Sequence, residues 1–297
     1  MKLSFKNIST AFFISASLMI SAQTEQDNQK EKIVQPSKDK STTNIFLAGD
    51  STLTDYSLES NYQEKRYPQQ GWGGVFQEFF VADSLKTFKS SLAKNVLVID
   101  KAKGGRSTRT FFQEGRWRYI FENLKPKDWV LIQFGHNDES EKKVDRYVDV
   151  PGYKEYLRLY IHQVREKGAT PILVTPVSRN YPWKDGVLGD SHVEYAKAMI
   201  EVAQEQKVDF IDLNKLSREF FTEKGKDFVT TTYFMNLPEG KYPAYPNGQK
   251  DDTHFQPEGA KAMAQIVYDE FKKIVTKKYN KALSRLQTLT RLNKNIK

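Results

Sequence analysis

Ser51 follows the apolar run Ile45-Phe46-Leu47-Ala48 in Gly49-Asp50-Ser51-Thr52, and far downstream Asp251 and His254 stand three apart in Asp251-Asp252-Thr253-His254. A serine hydroxyl is a poor nucleophile at neutral pH. It needs a base to take its proton and a third group to hold that base in the right tautomer. His254 and Asp251 supply both, because an acid and a histidine three apart in a turn can lie side by side, the carboxylate accepting the Nδ1 proton and Nε2 facing Ser51. Asp252 is the competing candidate for the acid. Acyl transfer also develops an oxyanion, which donors must meet about 3 Å from where the charge forms. The backbone amides of Ser51 and Gly105 and the side-chain amide of Asn137 are nominated. Glycine lets its N–H approach a ligand closely, and asparagine donates without a charge that would pair with the triad. Singly, each residue has a plainer use: Ser51 as a helix cap, Asn137 as a turn brace, His254 as a helix-start residue.

These residues must be brought together by the elements between them. Five short apolar runs read as buried parallel strands: Asn44 to Gly49, Asn95 to Lys101, Trp129 to Phe134, Pro171 to Pro176 and Val208 to Leu213. Between and after them, Trp72 to Ala82, Tyr153 to Lys167, His192 to Gln206 and Ala260 to Val275 carry apolar residues at helical spacing. Alternating strand and helix predicts an α/β fold, a three-layer α/β/α sandwich on a five-stranded parallel sheet. Ligands in such folds bind beyond the carboxyl ends of the strands. Ser51, Gly104-Gly105-Arg106-Ser107 and Gly135-His136-Asn137-Asp138 fall at three of those ends, and the Asp251/His254 pair precedes the last helix, with Pro257 in its first turn.

Composition separates this core from its ends. Residues 1–22 have a charged start (Lys2, Lys6), an apolar stretch from Ala11 to Ile20 and small residues at Ser21 and Ala22, the pattern of a signal peptide cleaved near Ala22. The expected location is periplasmic or extracellular. The apolar stretch is shorter than the ~20 residues needed to span a bilayer, so no membrane span is expected. Residues 23–41 are polar enough to form a solvated linker, 42–276 form one catalytic domain, and 277–297 form a basic C-terminal tail. The formal net charge is +9, but Lys272 to Lys297 alone holds nine basic residues and no acidic ones. The charge therefore belongs to the tail and is no sign of a nucleic-acid partner. There is no cysteine, hence no thiolate nucleophile or disulfide, and no His/carboxylate cluster has metal-ligand spacing. No cofactor is needed.

Taken in order, Gly49-Asp50-Ser51-Thr52, Ala102-Lys103-Gly104-Gly105-Arg106-Ser107, Gly135-His136-Asn137-Asp138 and Asp251-Asp252-Thr253-His254 resemble the four blocks of the SGNH or GDSL hydrolases, whose sheet is flavodoxin-like. Thr52 after the serine, the Gly71-Trp72-Gly73 turn, Arg106 with Arg109, and Pro257-Glu258-Gly259-Ala260 make the chain most similar to the rhamnogalacturonan acetylesterases. The resemblance implies Ser51 as nucleophile, Gly105 and Asn137 as oxyanion donors, Asp251 as orienting acid and His254 as base. It implies an exported serine carbohydrate esterase that removes O-acetyl groups from an acidic polysaccharide or oligosaccharide, rhamnogalacturonan or pectin. On such a substrate Arg106 and Arg109 are candidates to grip a uronate carboxylate, although they can equally brace their loop through carbonyls or Asp50. His136 and Trp183 are further candidates for the substrate cleft. Two alternatives stand beside this reading: a lipase or thioesterase of the same superfamily, and a non-catalytic glycan-binding protein on the same fold.

Overall fold

The computed structural model describes residues 34–86, 88 and 92–294. The expected signal peptide with its cleavage point, the linker up to residue 33, and Lys297 lie outside the described residues.

Each of the five expected strands is present: β1 Thr42–Gly49, β2 Asn95–Asp100, β3 Trp129–Gln133, β4 Thr170–Val174 and, after a two-stranded hairpin of β5 Trp183–Lys184 and β6 Val187–Leu188, β7 Asp209–Ile211. All pairs in the main sheet are parallel, in the order β2-β1-β3-β4-β7. Strand order reverses between β1 and β3, which run side by side with Gly49 opposite Gln133. That switch point opens a crevice at the carboxyl ends of these two strands.

The sheet is buried on both faces because the middles of its strands are continuous apolar runs, with polar residues confined to the strand ends, and the period of two divides the runs between two cores. In β1, Ile45 and Leu47 enter one core with Trp72, Phe76, Phe221 and Phe271, while Phe46 and Ala48 enter the other with Trp117, Tyr153, Tyr160 and Met199. Helices α1 Thr108–Gln113, α2 Arg116–Asn123, α3 Val150–Glu166 and α4 Val193–Glu205 cover the second face; α5 Leu213–Lys224 and α6 Pro257–Lys294 cover the first.

Three expectations change. The single helix expected over Trp72 to Ala82 is broken into Gly73–Phe76, a 3-10 turn Gln77–Phe79 and a separate helix Ala82–Lys86. Phe80 leaves the helical conformation, at φ −106° and ψ 46°, and its ring packs against Phe76, Phe88, Tyr268 and Phe271. The basic tail is not a separate segment, since α6 runs unbroken through Lys294; no Gly or Pro interrupts residues 260–294 and Ala, Leu, Lys, Arg and Gln are good helix formers. Lastly, the end of the linker is already docked, because Ser37 exchanges two 3.0 Å hydrogen bonds with the Asn44 side chain.

Candidate active site

Beyond Gly49 the chain turns sharply: the amides of Leu53 and Thr54 both reach back to the Asp50 carbonyl at 3.2 Å, and Ser51 lies in the bend. Buried side chains hold the bend from below. Asp50 Oδ1 accepts from the Thr52 amide at 2.9 Å and hydroxyl at 2.8 Å, Thr52 Oγ1 accepts from Gln133 Nε2 at 2.6 Å, and Gln133 Oε1 accepts from Trp72 Nε1 at 3.0 Å. A threonine at 52 is thus a bridge between β1 and β3. Gly71 is required for a different reason: a Cβ there would lie 2.3 Å from the Leu53 carbonyl carbon.

The other candidates converge on this bend. Ser51, Gly105, Asn137, Asp251 and His254 line one cleft of about 800 Å³. His254 Nδ1 meets Asp251 Oδ2 at 2.7 Å, while Asp251 Oδ1 accepts from the amides of Thr253 at 2.8 Å and His254 at 3.1 Å. Burial tends to raise the Asp251 pKa, but the His254 contact and the two amide bonds outweigh it and hold the carboxyl below its ordinary value. Asp252 is not the acid that meets His254: its Oδ1 accepts from Asn180 Nδ2 at 2.8 Å and Asn236 Nδ2 at 2.9 Å, while His254 Nδ1 is bonded to Asp251.

Among the described residues, neither the Ser51 amide nor the Gly105 amide has a hydrogen-bond partner. Gly105 has φ +82°, the left-handed region that favours glycine, and its neighbour Gly104 is needed because a Cβ there would lie 2.9 Å from the Tyr56 hydroxyl. Asn137 Nδ2 donates one hydrogen to the Arg106 carbonyl at 3.0 Å, and Arg146 Nη1 donates to Asn137 Oδ1 at 3.4 Å. That arrangement fixes which end of the amide is the donor and leaves its second N–H uncommitted.

Asp138 staples this loop to the start of α1, its Oδ1 accepting from the Thr108 amide at 2.9 Å and hydroxyl at 2.6 Å. Burial raises its pKa to about 7 despite those bonds. His136, also buried, is shifted the other way: burial and the adjacent His192 ring lower its pKa to about 4. His136 is therefore neutral near pH 7, and its 3.5 Å approach to Asp50 is not an ion pair. With a folded pKa above its unfolded value, Asp138 holds its proton more tightly when folded, so its stabilising contribution is present below pH ~4 and is lost as pH rises to about 7. Asp138→Asn removes that dependence. Relative to the parent, the variant should gain stability between pH 4 and 7 by up to about 1.4 kcal/mol per pH unit, measured by urea unfolding; parallel stability curves would refute the shift.

The remaining substrate candidates divide. Arg106 and His136 line the cleft, but Arg106 is paired with Glu114 at 2.8 Å and donates to the Gly104 carbonyl at 2.7 Å. Arg109 and Trp183 are not brought to the cleft. Arg109 donates to the carbonyls of Val144 and Tyr147, and Trp183 donates to Asn180 Oδ1 at 2.9 Å while its ring packs on the first core. Both side chains are used to hold their own loops. The cations that sequence reasoning missed are Arg66, Lys103, Lys143, Arg146 and Arg179, all lining the cleft, of which Arg66 and Lys103 both contact Glu59, at 3.4 and 3.5 Å. Arg179 lies just beyond the end of β4, so the strand-end criterion that singled out Ser51 and Asn137 would have found it; Lys143 and Arg146 sit in a charged run whose direction no periodicity reveals. No group of three or more His, Asp or Glu among the described residues can hold a metal ion.

The GDSL-like lipase/acylhydrolase family model matches residues 47–262. The chain is 39% identical over 231 residues to YesY of Bacillus subtilis, named a probable rhamnogalacturonan acetylesterase, covering 77% of this chain and 93% of that one. It is 34% identical over 228 residues to the rhamnogalacturonan acetylesterase RhgT of the same organism, covering 77% and 89%. Among solved structures, the crystal structure of protein YxiM from Bacillus subtilis superimposes with a TM-score of 0.62 at 26% identity, over 78% of this chain and only 56% of that one.

Proposed function

The chain is an esterase that belongs to the GDSL-like lipase/acylhydrolase family, and from that premise we propose that it is an exported serine carbohydrate esterase that deacetylates an acidic polysaccharide of the rhamnogalacturonan type. The observation that carries the chemistry is the Asp251–His254 pair facing the same cleft as Ser51 and the unpartnered amides of Ser51 and Gly105. In this reading Ser51 attacks the acetyl carbonyl as His254 takes its proton. Negative charge on the carbonyl oxygen is met by the two amides and Asn137. The tetrahedral intermediate collapses as His254 protonates the sugar oxygen, and water activated by the same histidine releases acetate from Ser51. Export is supported by the charged and apolar pattern of residues 1–22.

The preference for an acidic substrate is supported by names and by charge. Both relatives are named for rhamnogalacturonan. In the cleft, Lys143 has no carboxylate partner among the described residues, and the carboxylate that Arg146 contacts, beside its 3.4 Å bond to Asn137, is its neighbour Asp145 at 3.4 Å, which is 69% exposed. An exposed contact of that kind is weak and easily exchanged for a substrate carboxylate. The uronate role expected of Arg106 and Arg109 passes on this reading to Lys143 and Arg146.

The test uses protein recovered from the exported fraction and measures acetate released from acetylated pectin, acetylated xylan and a small neutral acetyl ester. Acetylated pectin should be the best substrate. Changing Lys143 and Arg146 together to Gln should raise KM for the acidic polymer about tenfold more than for the neutral ester, in line with the loss of charge-assisted hydrogen bonds. Equal changes on both would remove the acidic-substrate reading, and equal rates on long acyl esters would restore the lipase alternative.

A further inference from the structure

The loop that carries Asp251 and His254 is gripped by the segment leaving β4. Arg179 Nη1 donates to Thr253 Oγ1 at 3.1 Å, and its Nη2 donates to Glu139 Oε1 at 2.8 Å and to the His136 carbonyl at 3.4 Å. The next residue holds the same loop one position earlier: the Asn180 amide donates to the Asp252 carbonyl, and Asn180 Nδ2 donates to Asp252 Oδ1, both at 2.8 Å. One guanidinium thereby joins the acid and base loop to the β3 loop that presents Asn137.

Glu139 is itself braced. Its second oxygen meets Nδ1 of the buried His192 at 2.8 Å, and the His192 ring lies 4.2 Å from that of His136, beside Asp50. Burial raises the Glu139 pKa, yet the His192 bond and the charge of Arg179 bring it below its ordinary value, so the partner of Arg179 is an anion. The Arg179 side chain is 16% exposed and that of Glu139 20%, where a charge-assisted pair is less screened than at the surface. A lysine cannot reproduce the geometry, since donation to Thr253 and to Glu139 uses two nitrogens of a rigid fork.

We propose that Arg179 is a positioning residue: held by Glu139, it sets the loop of Asp251, Thr253 and His254 in register with Ser51 and Asn137. The proposal rests on the reading of Ser51 as nucleophile and His254 as base. Neither Arg179 nor Glu139 takes or gives a proton in the reaction. Their effect is on distance, and a misplacement of about 1 Å at a reacting pair costs on the order of 100-fold in rate.

Arg179→Ala, Arg179→Lys and Glu139→Gln are compared with the parent and with Ser51→Ala on a small acetyl ester. Arg179→Ala should lower kcat about 30-fold or more with KM changed less than about threefold. Guanidinium ion at non-denaturing concentration should restore part of that loss, and Arg179→Lys should recover less than half of it. In hydrogen exchange, amides of residues 250–254 should exchange faster in Arg179→Ala while those of β1 stay protected. A rise in KM alone would make Arg179 a substrate contact and overturn the proposal, as would unchanged kcat together with unchanged exchange. Activity that survives in Ser51→Ala would instead defeat the reading of the nucleophile; the exchange measurement then decides whether Arg179 holds the loop.

Discussion

Ser51→Ala is expected to lower kcat on acetyl esters by about 10⁶, the size of loss seen when a triad nucleophile is deleted. The physical reason is that the Asp251–His254 pair has no other nucleophile to activate at this bend: there is no cysteine in the chain, and the adjacent Thr52 hydroxyl is buried and engaged with Asp50 and Gln133. What survives in the variant is whatever the oxyanion donors and substrate binding contribute without covalent chemistry, on the order of 10³ to 10⁴ over water. The substitution should leave folding untouched. Ser51 makes no hydrogen bond among the described residues, and alanine keeps its Cβ. Steady-state turnover on a neutral acetyl ester and on acetylated pectin, with a thermal melt of each protein, checks both parts. Retention of more than about 1% of parent activity by a cleanly folded variant would eliminate Ser51 as the acyl acceptor.

Asp251→Asn should cost about 10⁴ in kcat, because it reverses the direction of one hydrogen bond. In the parent, Asp251 Oδ1 is held by the amides of Thr253 and His254, which leaves Oδ2 to accept from His254 Nδ1. In the variant those two amides keep the side-chain oxygen in the same place, so the new NH2 faces Nδ1 and donates to it. The imidazole must then carry its proton on Nε2, the nitrogen that has to accept from Ser51. The adjacent Asp252→Asn is the matched control. Asn180 and Asn236 both donate to a single Asp252 oxygen, which the amide preserves, and the expected loss is under about tenfold. Comparable losses in the two variants would show that the loop merely needs its charge, and that Asp251 does not set the tautomer.

The two effects are separable in practice. Ser51→Ala removes the acyl-enzyme, so no burst of product precedes steady state in that variant. Asp251→Asn keeps Ser51 and the oxyanion donors, and slow acylation by a reactive ester should persist.

Much of this site could be read from the chain alone. The strands have apolar middles because both faces are covered, and a run of Val, Ile and Leu bounded by turn residues needs no tertiary knowledge to recognise. Placing chemistry at the carboxyl ends of those strands follows from the parallel topology, which makes Ser51, Gly105 and Asn137 candidates from the sequence, and the structure brings all three to one cleft. Asp251 and His254 are legible as a pair because an acid three residues before a histidine can reach it through a local turn, the contact the structure shows at 2.7 Å. Local order also accounts for Pro257 opening α6.

What escaped is long-range. Arg109 and Trp183 look like substrate residues by type, but a side chain that stabilises its own loop has the same composition as one that faces a ligand; only the partners at Val144, Tyr147 and Asn180 distinguish them. The split of the helix over residues 72–82 was decided by Phe80 joining rings from α6, nearly two hundred residues away in the chain. Periodicity and turn chemistry act over a few residues, and from them the sequence by itself determined the sheet and the candidates Ser51, Asp251 and His254 at its rim. Which cations remain open to an acidic substrate, and that Arg179 ties the base loop to the rest of the site, depended on contacts between segments 40 to 74 residues apart, which exist only once the fold has closed.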